Sequence, residues 1–243
     1  MIAGIAVLAA AVLATVLLAP RIVEIVDDAA PDPEVPPFAA SAPLPPSAAV
    51  PTGPGVAGLV DADWARETAA ATGIPELALL AYAGAAINKA NAMPECGLAW
   101  NTLAGFGAVE SDHGRHGGSS VQADGTVVPP IFGIALDGVD TDHIPDSDQG
   151  TIDGDATIDR AVGPLQMIPQ TWVNWHVDGN GDGVEDPQNI EDAVVAASNY
   201  LCRASPDMAG EDGWLAGVLS YNSAGGYAQA VADAAQEYYE KAD

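Results

Sequence analysis

A mainly α fold with a small irregular or β insertion, preceded by an N-terminal hydrophobic segment and a proline-rich stalk, is what the sequence predicts, and three observations predict it. Residues 2–19 form an uninterrupted, uncharged apolar run of eighteen, long enough for a marginal membrane span. Between Ala29 and Gly55 nine prolines stand among Ala and Ser, a composition with little to bury that reads as a stalk. From about Gly58 onward apolar residues recur at helical spacing, interrupted by a polar, short-patterned middle over residues 119–160. The expected organisation is therefore a signal or membrane-anchor segment over 1–22, a Pro/Ala-rich linker over 23–57 and one folded domain over 58–243.

The 7 Lys and Arg against 34 Asp and Glu give a net charge of −27. Such an acid excess excludes nucleic acid as a natural partner, because a polyanion would be repelled. Hydrophobic residues make up 49% of the chain, enough for one packed core. The apolar run points to export, to the cell surface or cell wall, with the chain membrane-anchored or secreted; the first basic residue, Arg21, follows the run and leaves its orientation unset. At a polyproline rise of about 3.1 Å per residue the stalk would reach roughly 80 Å.

Within the domain, Asp61 is placed to cap a helix running through Trp64 and Thr68 to Gly73, and Pro75 to open a second, ELALLAYAGAAINKA. A third, LAWNTLAGFGAVES, runs into glycines at 114, 117 and 118. A small hairpin is expected around VVPPIFGIAL. Pro187 then starts a helix with Ile190, Val194, Ala197 and Leu201 on one stripe, and DGWLAGVLSYN and GYAQAVADAAQEYYE supply the last two. The two cysteines, Cys96 and Cys202, fit neither a metal knuckle nor a redox pair. In an exported chain they read as one long-range disulfide, two buried free thiols being the alternative.

Glu110 ends an apolar helical run, with Phe106, Ala108 and Val109 behind it and glycines ahead. A carboxyl group in that setting is partly desolvated, which raises its pKa and suits it to donate a proton near neutral pH. His113 and His116 lie three apart beside it, but no third zinc ligand is placed and the glycines argue against a helix face. Fifty residues on come DRAVGPLQMIPQTW, DGNGDGVEDPQNIEDAVVAASNYLC and SYNSAGGYAQAV.

With Glu110's AVESDHG, these ordered blocks resemble the lytic murein transglycosylases, specifically the membrane-bound B-type branch of the lysozyme-like superfamily, over about residues 73–240. The resemblance implies a lysozyme-like helical domain acting on peptidoglycan glycan strands. Glu110 falls on the family's catalytic acid, and Gln166 on the glutamine lining its sugar cleft. Tyr221, Asn222 and Tyr227 fall on the block bordering the glutamate and the glycan, although Ser223 stands one place early. No cofactor is required for such catalysis. One glutamic acid protonates the leaving oxygen, and as glutamate takes the proton of the muramyl C6 hydroxyl that attacks C1.

Asp178, Asn180, Asp182, the Val184 carbonyl and Asp186 occupy positions 1, 3, 5, 7 and 9 of an EF-hand-type loop, with Gly183 at the turn. Asn189 replaces the twelfth-position Glu, with Glu191 or Asp192 as substitutes, so a structural calcium held at about 10⁻⁴ to 10⁻³ M is expected. A turn merely rich in Asp and Gly is the alternative. The acids of residues 137–159 offer ligands for a further cation site, but their spacing follows no named loop and they read as solvated surface. Two rivals to a lytic transglycosylase remain. One is a muramidase in which Asp112, Asp159 or another acid activates water. The other is a weakly catalytic glycan-binding module serving a cell-wall assembly or division complex.

Overall fold

The computed structural model describes residues 36–139 and 141–242; the hydrophobic segment expected over 1–22, and residues 23–35 of the expected linker, lie outside them. Asp61 accepts hydrogen bonds from the backbone N–H groups of Asp63 and Trp64 and so starts helix α1 (Ala62–Thr72), which stops at left-handed Gly73. Pro75 precedes α2 (Glu76–Ala92), whose residues from Ala78 to Ile87 are almost all buried. This helix is apolar all round because neighbours cover every side of it. α3 (Trp100–Ser111) crosses α7 (Tyr227–Lys241) closely, and a Cβ at Gly105 would lie 2.8 Å from the Val231 carbonyl oxygen. Glycine is therefore required at that crossing.

The amphipathic α5 (Ile190–Ala204) lays Ile190, Val194, Ala197 and Leu201 into the core, as its stripe predicts. Asn189 caps it, so the helix begins later than Pro187. α6 (Glu211–Tyr221) adds Trp214, which with Trp100, Tyr82, Phe106, Leu79 and Leu103 forms the fully buried centre. Each such side chain contributes about 1.5–3 kcal/mol by leaving water. Cys96 and Cys202 are disulfide-bonded across 106 residues of sequence, a closure worth up to about 4.7 kcal/mol in the chain-entropy picture. The short α4 (Pro169–Trp175), not separately anticipated, starts on Pro169.

The hairpin expectation is corrected. Strand β2 (Val127–Val128) pairs back with β1 (Ser120–Val121), while β3 (Phe132–Ala135) pairs antiparallel with β4 (Arg160–Val162) across the intervening loop. Pro129 and Pro130, which have no N–H to donate, separate β2 from β3 and keep VVPPIFGIAL from folding onto itself.

The linker expectation is corrected over residues 36–57, since Pro36–Asp243 forms one compact unit. Ala39 and Ala42 are buried in the main core, and Phe38 stands edge-on to Trp214 at 6.0 Å. Asn101, wholly buried on α3, accepts from Ala42 N at 2.9 Å and donates to the carbonyls of Ala40 and Ala235 at 2.8 and 3.0 Å. Further on, Val56 N donates to Gly179 O and Ala57 N to Glu191 Oε2, both at 2.9 Å. Proline-rich composition left these backbone groups without strand partners, and a buried amide, a loop carbonyl and a glutamate of α5 supply them. The segment is a strap.

Acids of the β3–β4 loop are not all solvated either. Asp153 and Asp159 are buried, Asp159 accepting from Ser147 N and Oγ at 2.9 and 2.7 Å and Asp153 from Arg160 N at 2.6 Å. In a segment with little regular structure, carboxylates take the acceptor role that a neighbouring strand would otherwise fill.

Candidate active site

Glu110 lies on the last turn of α3, facing a cleft of about 950 Å³ that it lines together with Gln166, Tyr221 and Asn222. The remaining walls come from the β3–β4 loop (Leu136, Val139, Asp142, Ile144), from Thr171 on α4, and from Tyr200 and Leu219 on α5 and α6. Four of the five site positions read from sequence thus border one cavity. The fifth, Tyr227, is the first residue of α7, and its hydroxyl donates to Glu110 Oε1.

Burial pushes the Glu110 carboxyl up to about 7, against the downward pull of the Tyr227 hydrogen bond. Buried Phe106, one turn earlier on α3, packs on both tyrosines of the site: its ring lies 4.9 Å from that of Tyr221 and 6.3 Å from that of Tyr227. Burial and the neighbouring Glu110 both push the two tyrosine hydroxyls upward, so they remain neutral donors.

Gln166 occupies a left-handed position, φ 46°, at the end of a tight turn closed by mutual backbone bonds between Val162 and Met167. Its Nε2 donates to Gly163 O at 2.9 Å, fixing the side chain within the turn. Two helices pin this turn. Ser111 Oγ, next to Glu110, donates to Pro164 O, and Tyr221 Oη donates to Leu165 O, each at 2.6 Å. The Tyr221 hydroxyl thereby positions the turn, leaving its ring to face the cavity. Asn222 caps α6, and its Oδ1 accepts from Ala224 N at 2.9 Å.

Three features escaped the sequence. Tyr200 lies one residue off the apolar stripe of α5, yet it lines the cleft, packs at 5.7 Å on Tyr221 and donates to Ser220 O at 2.5 Å. Asp142 also lines the cleft, from a loop with no motif. His113 is buried between two tyrosines, Nδ1 at 3.1 Å from Tyr82 Oη and Nε2 at 2.8 Å from Tyr238 Oη. Both ring nitrogens are thus occupied, and burial, aided by nearby Arg115, lowers the imidazole to about 4.

In the Asp178–Asp186 loop, Asp178 accepts from the N–H groups of Gly181, Asp182 and Gly183, Asn180 from Asp182, Asp182 from Val184, and Asp186 from Gln188. Asn189 caps α5 and donates to Asp124 O. Of the two expected substitutes, Glu191 is turned to the strap through Ala57 N, whereas Asp192 accepts from Gly179, Asn180 and Asp186 of the loop. Elsewhere, oxygens of Asp146, Asp148 and Asp159 approach within 4.8 Å of one another.

Residues 136–214 match the family model of the transglycosylase SLT domain. Over that stretch, about a third of the chain, the protein is similar to peptidoglycan-active transglycosylases of the lysozyme-like superfamily. The match takes in Gln166 and the Asp178–Asp186 loop; Glu110 precedes it, and Tyr221, Asn222 and Tyr227 follow it. No curated protein and no solved structure matches the chain.

Proposed function

We propose that this domain is a lytic transglycosylase of the B-type branch that cleaves the MurNAc–GlcNAc β-1,4 bond of peptidoglycan and leaves 1,6-anhydro-MurNAc ends. The observation that carries the reading is the Glu110 carboxyl, poised near 7 in a cleft also lined by Gln166, Tyr221 and Asn222. Protonated Glu110 donates to the glycosidic oxygen as the C1–O bond breaks. The resulting glutamate takes the proton of the muramyl C6 hydroxyl as O6 bonds to C1, which restores the acid without consuming water. The substrate's N-acetyl group stabilises the oxocarbenium-like centre. Tyr227 holds the Glu110 oxygen in place, and the neutral cleft side chains take sugar hydroxyls and acetamido groups without adding charge.

A hydrolytic muramidase needs a second carboxylate. Asp112 is paired with Arg115, Asp159 is taken up by Ser147, and neither lines the cleft. Asp142 is the acid left to that rival. Incubation with purified peptidoglycan, followed by mass analysis of the products, separates the readings: anhydro ends absent with Glu110→Gln support the transglycosylase, and reducing ends refute it.

Export to the wall, with attachment to a membrane through the N-terminal segment, belongs to the same proposal, as does calcium in the Asp178–Asp186 loop. The loop's donors are the oxygens calcium prefers, and Asp192, buried against it, stands in for the absent twelfth-position glutamate. A bound cation there would offset the mutual repulsion of Asp178 and Asp192 and hold the loop against the strap.

A further inference from the structure

The cleft has an unusual charge. Among the described residues that line it none is Lys, Arg or His, and the acids are Glu110 and Asp142. Most of the described basic residues are committed elsewhere: Arg66, Arg115, Arg160 and Lys241 are each ion-paired with an acid and Lys89 is buried against Asn199, while Arg203 near the end of α5 does not line the cleft. Nothing in the lining is therefore built to receive an anionic group.

Within the β3–β4 loop the acids divide sharply. Asp137, Asp146, Asp148, Asp153, Asp155 and Asp159 each accept at least one hydrogen bond from the loop's own donors. Among the described acids of residues 137–159, Asp142 is the one whose carboxylate makes no such bond, and it is the one that borders the cleft. Its neighbours fold the loop; Asp142 is solvent-exposed beside the cavity that holds Glu110.

We propose that Asp142 is a specificity residue that receives a primary ammonium group carried by the glycan substrate, so that the cleft prefers amine-bearing strands over fully N-acylated ones. This rests on the proposed glycan-cleaving role of the same cleft. The ammonium has two sources, an N-deacetylated amino sugar or a free amine on a stem peptide, and both offer the same charged donor to the carboxylate. The field of a chain with net charge −27 adds to the preference by concentrating cations and repelling anions.

The test uses two glycan preparations. One consists of strands stripped of peptides and partly N-deacetylated; the other consists of N-acetylated strands carrying stem peptides with free amines. Each is used as such and after exhaustive N-acetylation with acetic anhydride. Dissociation constants are measured with Glu110→Gln, which holds substrate without turnover, and KM with the otherwise native protein.

The expected result is binding about two- to five-fold tighter to the amine form in at least one arm, shrinking in high salt, as suits one exposed charge pair. The arm that shows the contrast identifies the source. Asp142→Asn brings the ratio to about one, and Asp142→Glu restores part of it. Equal binding of amine and acylated forms in both arms overturns the proposal. So does a collapse of kcat on every substrate in Asp142→Asn, which would make Asp142 a base rather than a recognition residue. A binding contrast without any cleavage would overturn the catalytic reading of Glu110 and leave the assignment of Asp142 standing.

Discussion

Replacing Glu110 by Gln removes the one carboxyl group that the fold holds far above its ordinary titration, and the consequence for stability can be worked out with its sign. The group is raised from 4.5 to about 7 by burial. Its protonated form is therefore the one the native state prefers. The stabilisation is complete below about 4.5 and is lost as pH rises through 7. Every tenfold gain in proton affinity on folding corresponds to about 1.4 kcal/mol, so ionised Glu110 costs the native protein up to about 3 kcal/mol at pH 8. Glutamine stays neutral, and its amide oxygen still accepts from Tyr227. Glu110→Gln is thus expected to abolish lytic activity while making the protein more stable at pH 8, with little difference at pH 5. Urea unfolding of both proteins at the two pH values checks this. A stability difference that does not grow between pH 5 and pH 8 refutes the argument that burial tunes this acid.

Tyr227→Phe removes the hydrogen bond that pulls Glu110 downward, so the basic limb of the pH–rate profile is expected to move up by about one pH unit; an unmoved limb counts against the contact. Asn101→Ala leaves the Ala42 N–H and the Ala40 carbonyl of the strap without their partner and removes the tie to the Ala235 carbonyl of α7, and should cost about 1–3 kcal/mol in chemical denaturation and open residues 36–57 to proteolysis. A loss below about 1 kcal/mol would mean that the strap contributes little. His113 is depressed from 6.5 to about 4, so native stability falls by about 3 kcal/mol as pH drops through that window, the unfolded chain taking the proton first. A signal assigned to the His113 imidazole, by its loss in a His113 variant, that titrates near 6.5 in the folded protein rules this out. Chelation by EDTA is expected to lower the melting temperature, with calcium restoring it; no change sinks the calcium proposal.

The helices were legible because their signals are local: Asp61 as a cap, Gly73 as a stop, and the 190–194–197–201 stripe each act within a few residues. The apolar backing of Glu110 is local too, but what singled this acid out among 34 was the order of the blocks that follow it over more than a hundred residues. The strap was not legible, because its anchors are Asn101, Trp214 and the 178–192 loop, far away in sequence, and composition alone makes a docked proline-rich segment look like a free one. Tyr200 and Asp142 were missed on equal grounds, each placed at the cleft by neighbours that no spacing encodes.

The acid excess looks different once these contacts are counted. Asp61, Asp146, Asp148, Asp153, Asp159, Asp178 and Asp192 all accept backbone N–H groups, most of them in the two long irregular segments that flank the cleft and the strap. A charged acceptor makes a stronger bond to an N–H than a neutral one, and it needs no neighbouring strand. Aspartate therefore orders loops that regular secondary structure cannot, while the accumulated charge is left uncompensated by only 7 basic residues. The same field makes anions poor ligands. In this chain the acidity that orders the loops is also the field in which the preference proposed for Asp142 would act.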